Sequence, residues 1–594
     1  MEKLKNLKYG KDGITLIALV VTIMVLLILA GISIGMIFGE NGLISRATGS
    51  AEEYEKAELK EKIELLLSEY VMENVTRENT NFEEFLRENL QVGIAQNNDN
   101  TYSFILGEWQ VKTDQNKVIS IEKFEIDIDK TFSNVETMKL DTELTEGELV
   151  KTEGYWDKQY GGSAYYDIVS STILAVDDGK CIKLENGLYA ELHSINDTVT
   201  VNQFGAYGDG VHDDALMIQK ALNSGYNNIE FENNEYNIKS IIYVNTDNIS
   251  IIGNGANISN TNNLNSIFQF EGTNEDYLNN IYIGNISLNT GNIIEDTISG
   301  QIRCKYVDKI NIVNCEINSR QANSSAILFQ NVRNSNIKNC SLSNFKKGIF
   351  ATDTVNSNIN NNIILFDRVP NENYSDGFYG ISFDNYTNKT KNIENININN
   401  NLVSGYTISV SLRYSNNSKI TNNSIENTSF GITIDRSSNI EISNNDITMS
   451  SKITNGHLYI ELVCSNNCVV KSNKCSCEAY YGTGVGVYGE TTVENYNEPS
   501  DNIIENNIFQ HISMPITVST NAKNTKVINN IIEDCKVGIT INVANIDGLE
   551  IKNNVINNCC ISGIHYKDIY PEYNISKILI QNNKIKNCND GILR

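Results

Sequence analysis

Over the last two-thirds of the chain, apolar and polar residues alternate in short runs that break at paired asparagines. The pairs are Asn361-Asn362, Asn400-Asn401, Asn422-Asn423, Asn444-Asn445, Asn506-Asn507, Asn529-Asn530, Asn553-Asn554 and Asn582-Asn583. Each is followed by an alternating apolar pair and then by an apolar strand, often led by Gly. Asn401, Asn423 and Asn445 recur at an interval of 22 residues. That period is too short for paired helices and fits one coil of a β-solenoid. One coil cannot bury its apolar side alone, whereas stacked coils share a continuous core. Asn tolerates the left-handed backbone of a tight corner. Its amide can also bond to the same amide one coil away. The pattern therefore predicts an all-β parallel solenoid over 201–594, with Ile432 and Ile434 inward and Thr433 and Asp435 outward.

The first 200 residues read differently. Residues 14–38 carry no charge and are long enough to span a bilayer as a helix. Lys3, Lys5, Lys8 and Lys11 precede that run, which predicts a single-pass membrane protein with the rest of the chain extracytoplasmic. No small-x-small cleavage site follows, so an ordinary signal peptide fits less well. Residues 52–67 are dense in Glu and Lys, with Tyr54, Ile63, Leu66 and Tyr70 at roughly helical spacing. Alternating runs at 102–106 and 109–111 predict a small sheet. Together, 39–126 reads as a stalk and small head. The acidic stretch 127–154 reads as a linker, and 155–200 as a small β module with a hairpin at Asn186-Gly187. The aromatic cluster Tyr155, Trp156, Tyr160, Tyr165 and Tyr166 is read as the core of that module.

Two motifs resemble known families. After the leader 1–13, Gly13-Ile14-Thr15-Leu16-Ile17-Ala18-Leu19-Val20-Val21 resembles a type IV prepilin. The resemblance implies cleavage after Gly13 by a prepilin peptidase, methylation of Ile14, other pilin-like subunits as partners, and a pilus-like assembly at the bacterial surface. The Glu usual at the fifth mature position is Ala18 here, which tells against packing into a fibre. Further on, Phe204-Gly205-Ala206-Tyr207-Gly208-Asp209-Gly210-Val211-His212-Asp213-Asp214 resembles the opening of the pectate-lyase superfamily, which includes polygalacturonases, rhamnogalacturonases and phage tailspikes. It implies a right-handed parallel β-helix. It also implies a helix with Ala215, Ile218 and Leu222 on one face, capped by Asp213 or Asp214. The polygalacturonase active-site order is absent. Asn245-Thr246-Asp247 has no Asp-Asp pair after it, and Gly456-His457 no basic pair, so that mechanism does not transfer.

Composition narrows the picture. Only 4 Pro in 594 residues suits a strand ladder, which Pro cannot join as a donor. A net charge of −26 argues against nucleic acid and is compatible with collecting Ca²⁺. Most of the 12 Cys align with inward positions: Cys468 with Ile440, Cys475 with Ile447, Cys315 with Cys340, and Cys535 with Cys560 and Cys588. Buried Cys behaves as a small hydrophobe.

Candidate chemistry comes from aligning the Gly-led strands. One outward column reads Asp384, Arg413, Asp435, Glu461 and Glu490. The column two residues earlier reads Ser382, Ser411, Thr433, Tyr459 and Tyr488, and Arg436 flanks Asp435. Carboxylates one coil apart, at about 4.8 Å, suit a glycosidase pair or a Ca²⁺ site with Arg as a lyase base. Asp384, Arg413, Asp435 and Glu461 are the candidate catalytic residues. Arg436, Tyr459, Tyr488 and Glu490 are the candidate substrate contacts. The competing reading is a surface ladder of cross-strand ion pairs. Two function classes follow. One is a membrane-anchored lyase or glycoside hydrolase acting on acidic or complex polysaccharide. The other is a non-catalytic adhesin or minor pilin-like protein that binds glycans. Gly591-Ile592-Leu593-Arg594 matches Gly431-Ile432-Thr433-Ile434. That predicts self-association through an open last coil, or a longer natural protein.

Overall fold

The computed structural model describes residues 51–76, 81–90, 92–107, 109–124, 126–291, 299–367, 377–385, 393–449, 458–477, 481–489, 498–542, 545–567 and 575–593. The predicted membrane run 14–38 and the processing site at Gly13 and Ile14 lie outside these residues. Among the described residues, no helix is long and apolar enough to cross a membrane.

The chain divides into two compact units, Met1–Phe85 with Gln96–Phe124, and Leu86–Ala95 with Glu125–Arg594. In the first, the helix Ala51–Thr76 buries Ile63, Leu67 and Tyr70. The antiparallel strands Tyr102–Leu106, Trp109–Thr113 and Val118–Lys123 bury Phe104, Val111 and Ile121. Phe82 joins helix and sheet edge-on, with ring centroids 4.7 Å from Tyr70 and 5.0 Å from Tyr102. The helix and small sheet expected here are both present.

The second unit corrects the linker expected at 127–154. Lys130–Phe132 and Leu149–Thr152 are strands of a five-stranded sheet, and Asn134 caps the helix Val135–Lys139 through a capping box. Phe132, Val135, Met138, Leu144 and Val150 are its core. The strands are only three and four residues long, and exposed acids between them mask the apolar signal. The hairpin is as expected, with Cys181–Lys183 antiparallel to Tyr189–Leu192 around Gly187 at φ 89°. Of the aromatic cluster, Tyr166 is core, while Trp156 stacks on Tyr207 at 4.9 Å.

From Thr198 onward the chain winds into about 13 turns of a parallel β-solenoid. Parallel crossovers of this kind are right-handed almost without exception. A full coil has three faces, as in Ile408–Arg413, Ser415–Thr421 and Ser424–Thr428. The helix Ala215–Leu222 lies before the second coil and buries Ala215, Ile218, Ala221 and Leu222. Of the two expected caps, Asp213 rather than Asp214 reaches the helix N-terminus. Asp214 makes no side-chain bond to the helix and instead accepts from the backbone N–H of Tyr207 and Gly208. It therefore holds the glycine-rich loop, while Asp213 accepts from Ala215.

The corner between the second and third faces explains the paired asparagines. The first of each pair is left-handed, with φ from 56° to 57° at Asn361, Asn400, Asn422 and Asn444. The second turns inward and builds a buried amide ladder. Asn401 donates from its backbone N and its Nδ2 to Asn423 Oδ1, at 2.9 and 3.0 Å. Asn423 repeats this toward Asn445, and Asn445 toward Asn473. The run continues through Asn507, Asn530, Asn554 and Asn583. Each Nδ2 also reaches a carbonyl of the preceding coil, as Asn445 does at Ile420. Asn473 escaped the pair pattern because its left-handed neighbour is Ser472.

The cysteines are free thiols and most are buried. Cys475 pairs with Ile447 as expected. The last stack differs: Cys559, fully buried, joins Cys535 and Cys588, and Cys560 is exposed.

Candidate functional site

The two outward columns of the first face run side by side. In one, Ser382, Ser411, Thr433 and Glu461 face each other on successive coils, followed by Gly486. In the other the order is Asp384, Arg413, Asp435, Val463 and Tyr488. The expected run Asp384–Arg413–Asp435 is therefore present, but Glu461 is not its next member. It sits diagonally across from Asp435, about 8 Å away by ladder spacing and strand rise. The cause is Tyr459, which takes the corner position opposite Gly431 and moves the strand by two residues against its expected alignment.

Tyr459 is fully buried, and its hydroxyl donates to Ser476 O at 3.0 Å. It is a core residue with no surface for a substrate, which corrects its expected role. Tyr488 is outward, but it follows Val463 rather than Tyr459. Glu490 lies outside the described residues.

The charges of the column pair with one another. Arg413 Nη1 donates to Asp384 Oδ2 at 3.0 Å, and its Nε lies 3.0 Å from Asp435 Oδ2. Arg436 Nη1 grips both oxygens of Asp435 at 2.7 and 2.8 Å. These side chains are only 10–21% exposed, so this is not the solvated ladder that outward position alone suggests. Removing Arg413 would strand two poorly hydrated carboxylates, the costly direction for a buried pair.

Glu461 stands apart from these ion pairs. Burial, and then the charge of Asp435, push its carboxyl up to about 7, against smaller pulls from Arg413 and the Thr433 hydroxyl. Tyr488 contributes to that burial. A Cβ at Gly486 would come within 2.1 Å of the Tyr488 ring, so the ring fills the slot directly beyond Glu461. Burial also raises the Tyr488 hydroxyl to about 12.

Sequence reasoning missed Tyr414. It occupies the corner after the charged column, where earlier coils have Tyr306, Asn331, Asp353 and Asn385, and it is left-handed at φ 57°, as Tyr306 is at φ 53°. Arg436 repeats that conformation at φ 49° one coil on, with its guanidinium 5.9 Å from the Tyr414 ring. A bulky residue in this region is strained, and the same column also carries left-handed Tyr306 and Cys464.

A cation site was also expected here. Arg413 occupies the position between Asp384 and Asp435 that a Ca²⁺ would take, so the donor set does not fit an ion. Among the described residues, no group of three or more His, Cys, Asp or Glu side chains could hold a metal.

No protein-family model matches the chain, and no curated protein does. Solved structures do. PfbA, a surface adhesin of Streptococcus pneumoniae, is 17% identical over 67% of this chain and 93% of its own, with a TM-score of 0.36. The Acinetobacter baumannii phage AM24 tailspike is 15% identical over 65% and 63%, at 0.45. The A-module of the Azotobacter vinelandii mannuronan C-5 epimerase AlgE6 is 14% identical over 65% and 98%, at 0.37. None of them assigns a role to a residue of this chain.

Proposed function

We propose that the first face cleaves glycans, with Glu461 as proton donor and Asp435 as its partner carboxylate. The observation that carries this reading is the asymmetry of the two acids. Glu461 is desolvated and holds its proton up to about neutral pH, while Asp435 is gripped by two arginines. Paired acids whose surroundings push them apart are the arrangement that acid–base hydrolysis needs. In the reaction, Glu461 gives its proton to the glycosidic oxygen as the C–O bond breaks. Asp435 takes a proton from the incoming water.

Arg413 reaches the carboxylates of both Asp384 and Asp435, which leaves it poorly placed to act as a lyase base. Hydrolysis is therefore favoured over elimination, and a resident Ca²⁺ has no part in it. Incubation with a mixed panel of polysaccharides should release new reducing ends without unsaturated products. The rate should be unchanged by EDTA. Unsaturated ends, or loss of activity on chelation, would replace this reading with a Ca²⁺-dependent lyase.

The mutual pairing of these charges also supports a second reading, a glycan-binding adhesin without turnover. Binding with no product from any glycan would establish it.

The membrane address belongs to the same proposal. Its support is the uncharged run 14–38 behind a basic leader. Mass spectrometry of membrane-extracted protein should find a mature chain beginning at N-methylated Ile14. An N-terminus still at Met1 would leave a plain anchor.

A further inference from the structure

The corner between the third and first faces carries a column of thiols that the glycan reading does not use. Glu533, Asn557 and Lys586 face one another on successive coils, and Cys535, Cys559 and Cys588 follow them by two residues each. A left-handed residue stands before each thiol, Asp534 at φ 52°, Asn558 at φ 55° and Asn587 at φ 53°. The three corners therefore turn alike and carry their thiols in one line along the solenoid axis. Cys535 and Cys559 are 1% and 0% exposed, whereas Cys588 is half-buried. Cys560, next to Cys559 in sequence, is exposed.

Successive coils are about 4.8 Å apart, inside the Cα separation of about 4.4–6.8 Å that a disulfide spans. Alternate coils are about 9.6 Å apart, outside that range. Cys559 can therefore be bridged to either neighbour, while Cys535 and Cys588 cannot be bridged to each other. None of the three lies within a strand, so their side chains have room to draw together. Burial, and then the neighbouring Cys588 and Cys535 thiols, push the Cys559 thiol well above its ordinary value, and a side-chain hydrogen bond to Cys588 adds to this. A buried neutral thiol is inert, so Cys588 is the member that an oxidant meets first. The other stacked pair, Cys315 and Cys340, is also in register but is 2% and 1% exposed, with no such point of entry.

We propose that this column is an oxidation site holding one disulfide at a time, with Cys559 as the shared partner of Cys588 and Cys535. The oxidant is a small-molecule disulfide. The thiolate of Cys588, its proton lost to water, attacks one sulfur of that molecule and expels the other half as a thiolate. Cys559 passes its proton to that thiolate and attacks the Cys588 sulfur. The second thiolate leaves, takes a proton from water, and the Cys559–Cys588 bond remains. Two protein thiols are thereby oxidised, and one external disulfide is reduced to two thiols. Cys535 can then attack the Cys559 sulfur and release Cys588 as a thiolate, which moves the bond one coil along without further oxidant. A column puts the attacking, central and leaving sulfurs in line, as that exchange requires. The Cys559–Cys588 bond would tie two coils at a different corner from the one held by the amide bond between Asn554 and Asn583. An extracytoplasmic position, as proposed above, is where such a bond persists.

In the test, the full chain is reduced, freed of reductant, incubated with oxidised glutathione and then denatured in acid. Remaining thiols are alkylated, and the peptides are mapped by mass spectrometry without reduction. The expected result is a Cys559–Cys588 cross-link as the main product, with Cys535 alkylated. In Cys588→Ser the cross-link should move to Cys535–Cys559 and form roughly tenfold more slowly, because both thiols are buried. Cys559→Ser and Cys559→Ala should show no cross-link within the column, while circular dichroism still reports the solenoid. Cys315 and Cys340 should stay reduced throughout. A Cys535–Cys588 link, cross-links through Cys560 alone, or alkylation of all three thiols in the treated parent would overturn the proposal. Absence of any link in Cys588→Ser would overturn the sharing of Cys559. Oxidation of Cys315 with Cys340 at the same rate would overturn the entry role of Cys588.

Discussion

Glu461→Gln should abolish glycan cleavage and, above neutral pH, make the protein harder to unfold. Loss of a general acid lowers rates by about 10²–10⁴-fold. The stability effect has the opposite sign because this carboxyl is held above its ordinary value, from 4.5 to about 7. The folded state binds that proton more tightly than the unfolded chain. Its contribution to stability is therefore complete below about 4.5 and is lost as pH rises to about 7. Gln mimics the protonated form at every pH. The variant should match the parent in acid and exceed it by up to about 3 kcal/mol at pH 8. Denaturant unfolding at pH 4 and pH 8, beside an assay for reducing ends, reads both effects. Parent activity should also fall as pH rises through about 7, since the acid must carry its proton. A variant that loses stability at pH 8 would show that Glu461 is a structural ligand of the face.

Asn445→Ala should be among the most destabilising single substitutions in the solenoid. It removes the acceptor for the Asn423 backbone N and Nδ2, and the donor to Ile420 O. Buried groups left without partners cost about 1–3 kcal/mol each, so a total loss of about 3–5 kcal/mol is expected. The neighbouring Asn444→Ala changes only the left-handed corner, at about 1–2 kcal/mol. Asn444→Gly should be close to neutral, because Gly accepts that backbone freely. Thermal unfolding of the three variants separates the ladder from the corner. Equal losses at the two Ala substitutions would mean that the buried amides contribute nothing beyond the turn.

The two asparagines of each pair were legible in sequence because each answers a separate local demand, a left-handed corner and a repeated buried amide. The coil register was legible wherever Gly leads the first-face strand, since its backbone lies against the next coil, as Gly431 lies against Tyr459 O. It failed where Tyr459 replaces Gly. Leu458, Ile460 and Leu462 alternate with Tyr459, Glu461 and Val463, so an alignment shifted by two residues also alternates. Nothing in that pattern says that the Tyr is inside. Burial of the charged column was hidden for a different reason. Outward position predicts hydration, whereas crowding by Tyr414, Arg436 and Tyr488 depends on neighbours in other coils. The linker at 127–154 was misread because strands this short carry too few apolar positions to show a period.

The amide ladder separates two lengths that most folds keep tied together. Successive ladder members are 39, 22, 22, 28, 34, 23, 24 and 29 residues apart, yet every step is bridged by the same amide bond at 2.9–3.0 Å. Contour length per turn is thus free to drift while rise per turn stays constant. Lengthening a loop costs little, since closure entropy grows only with the logarithm of its length. The solenoid behaves as a ruled scaffold on which loops can be traded between coils without moving the acids and arginines of the first face.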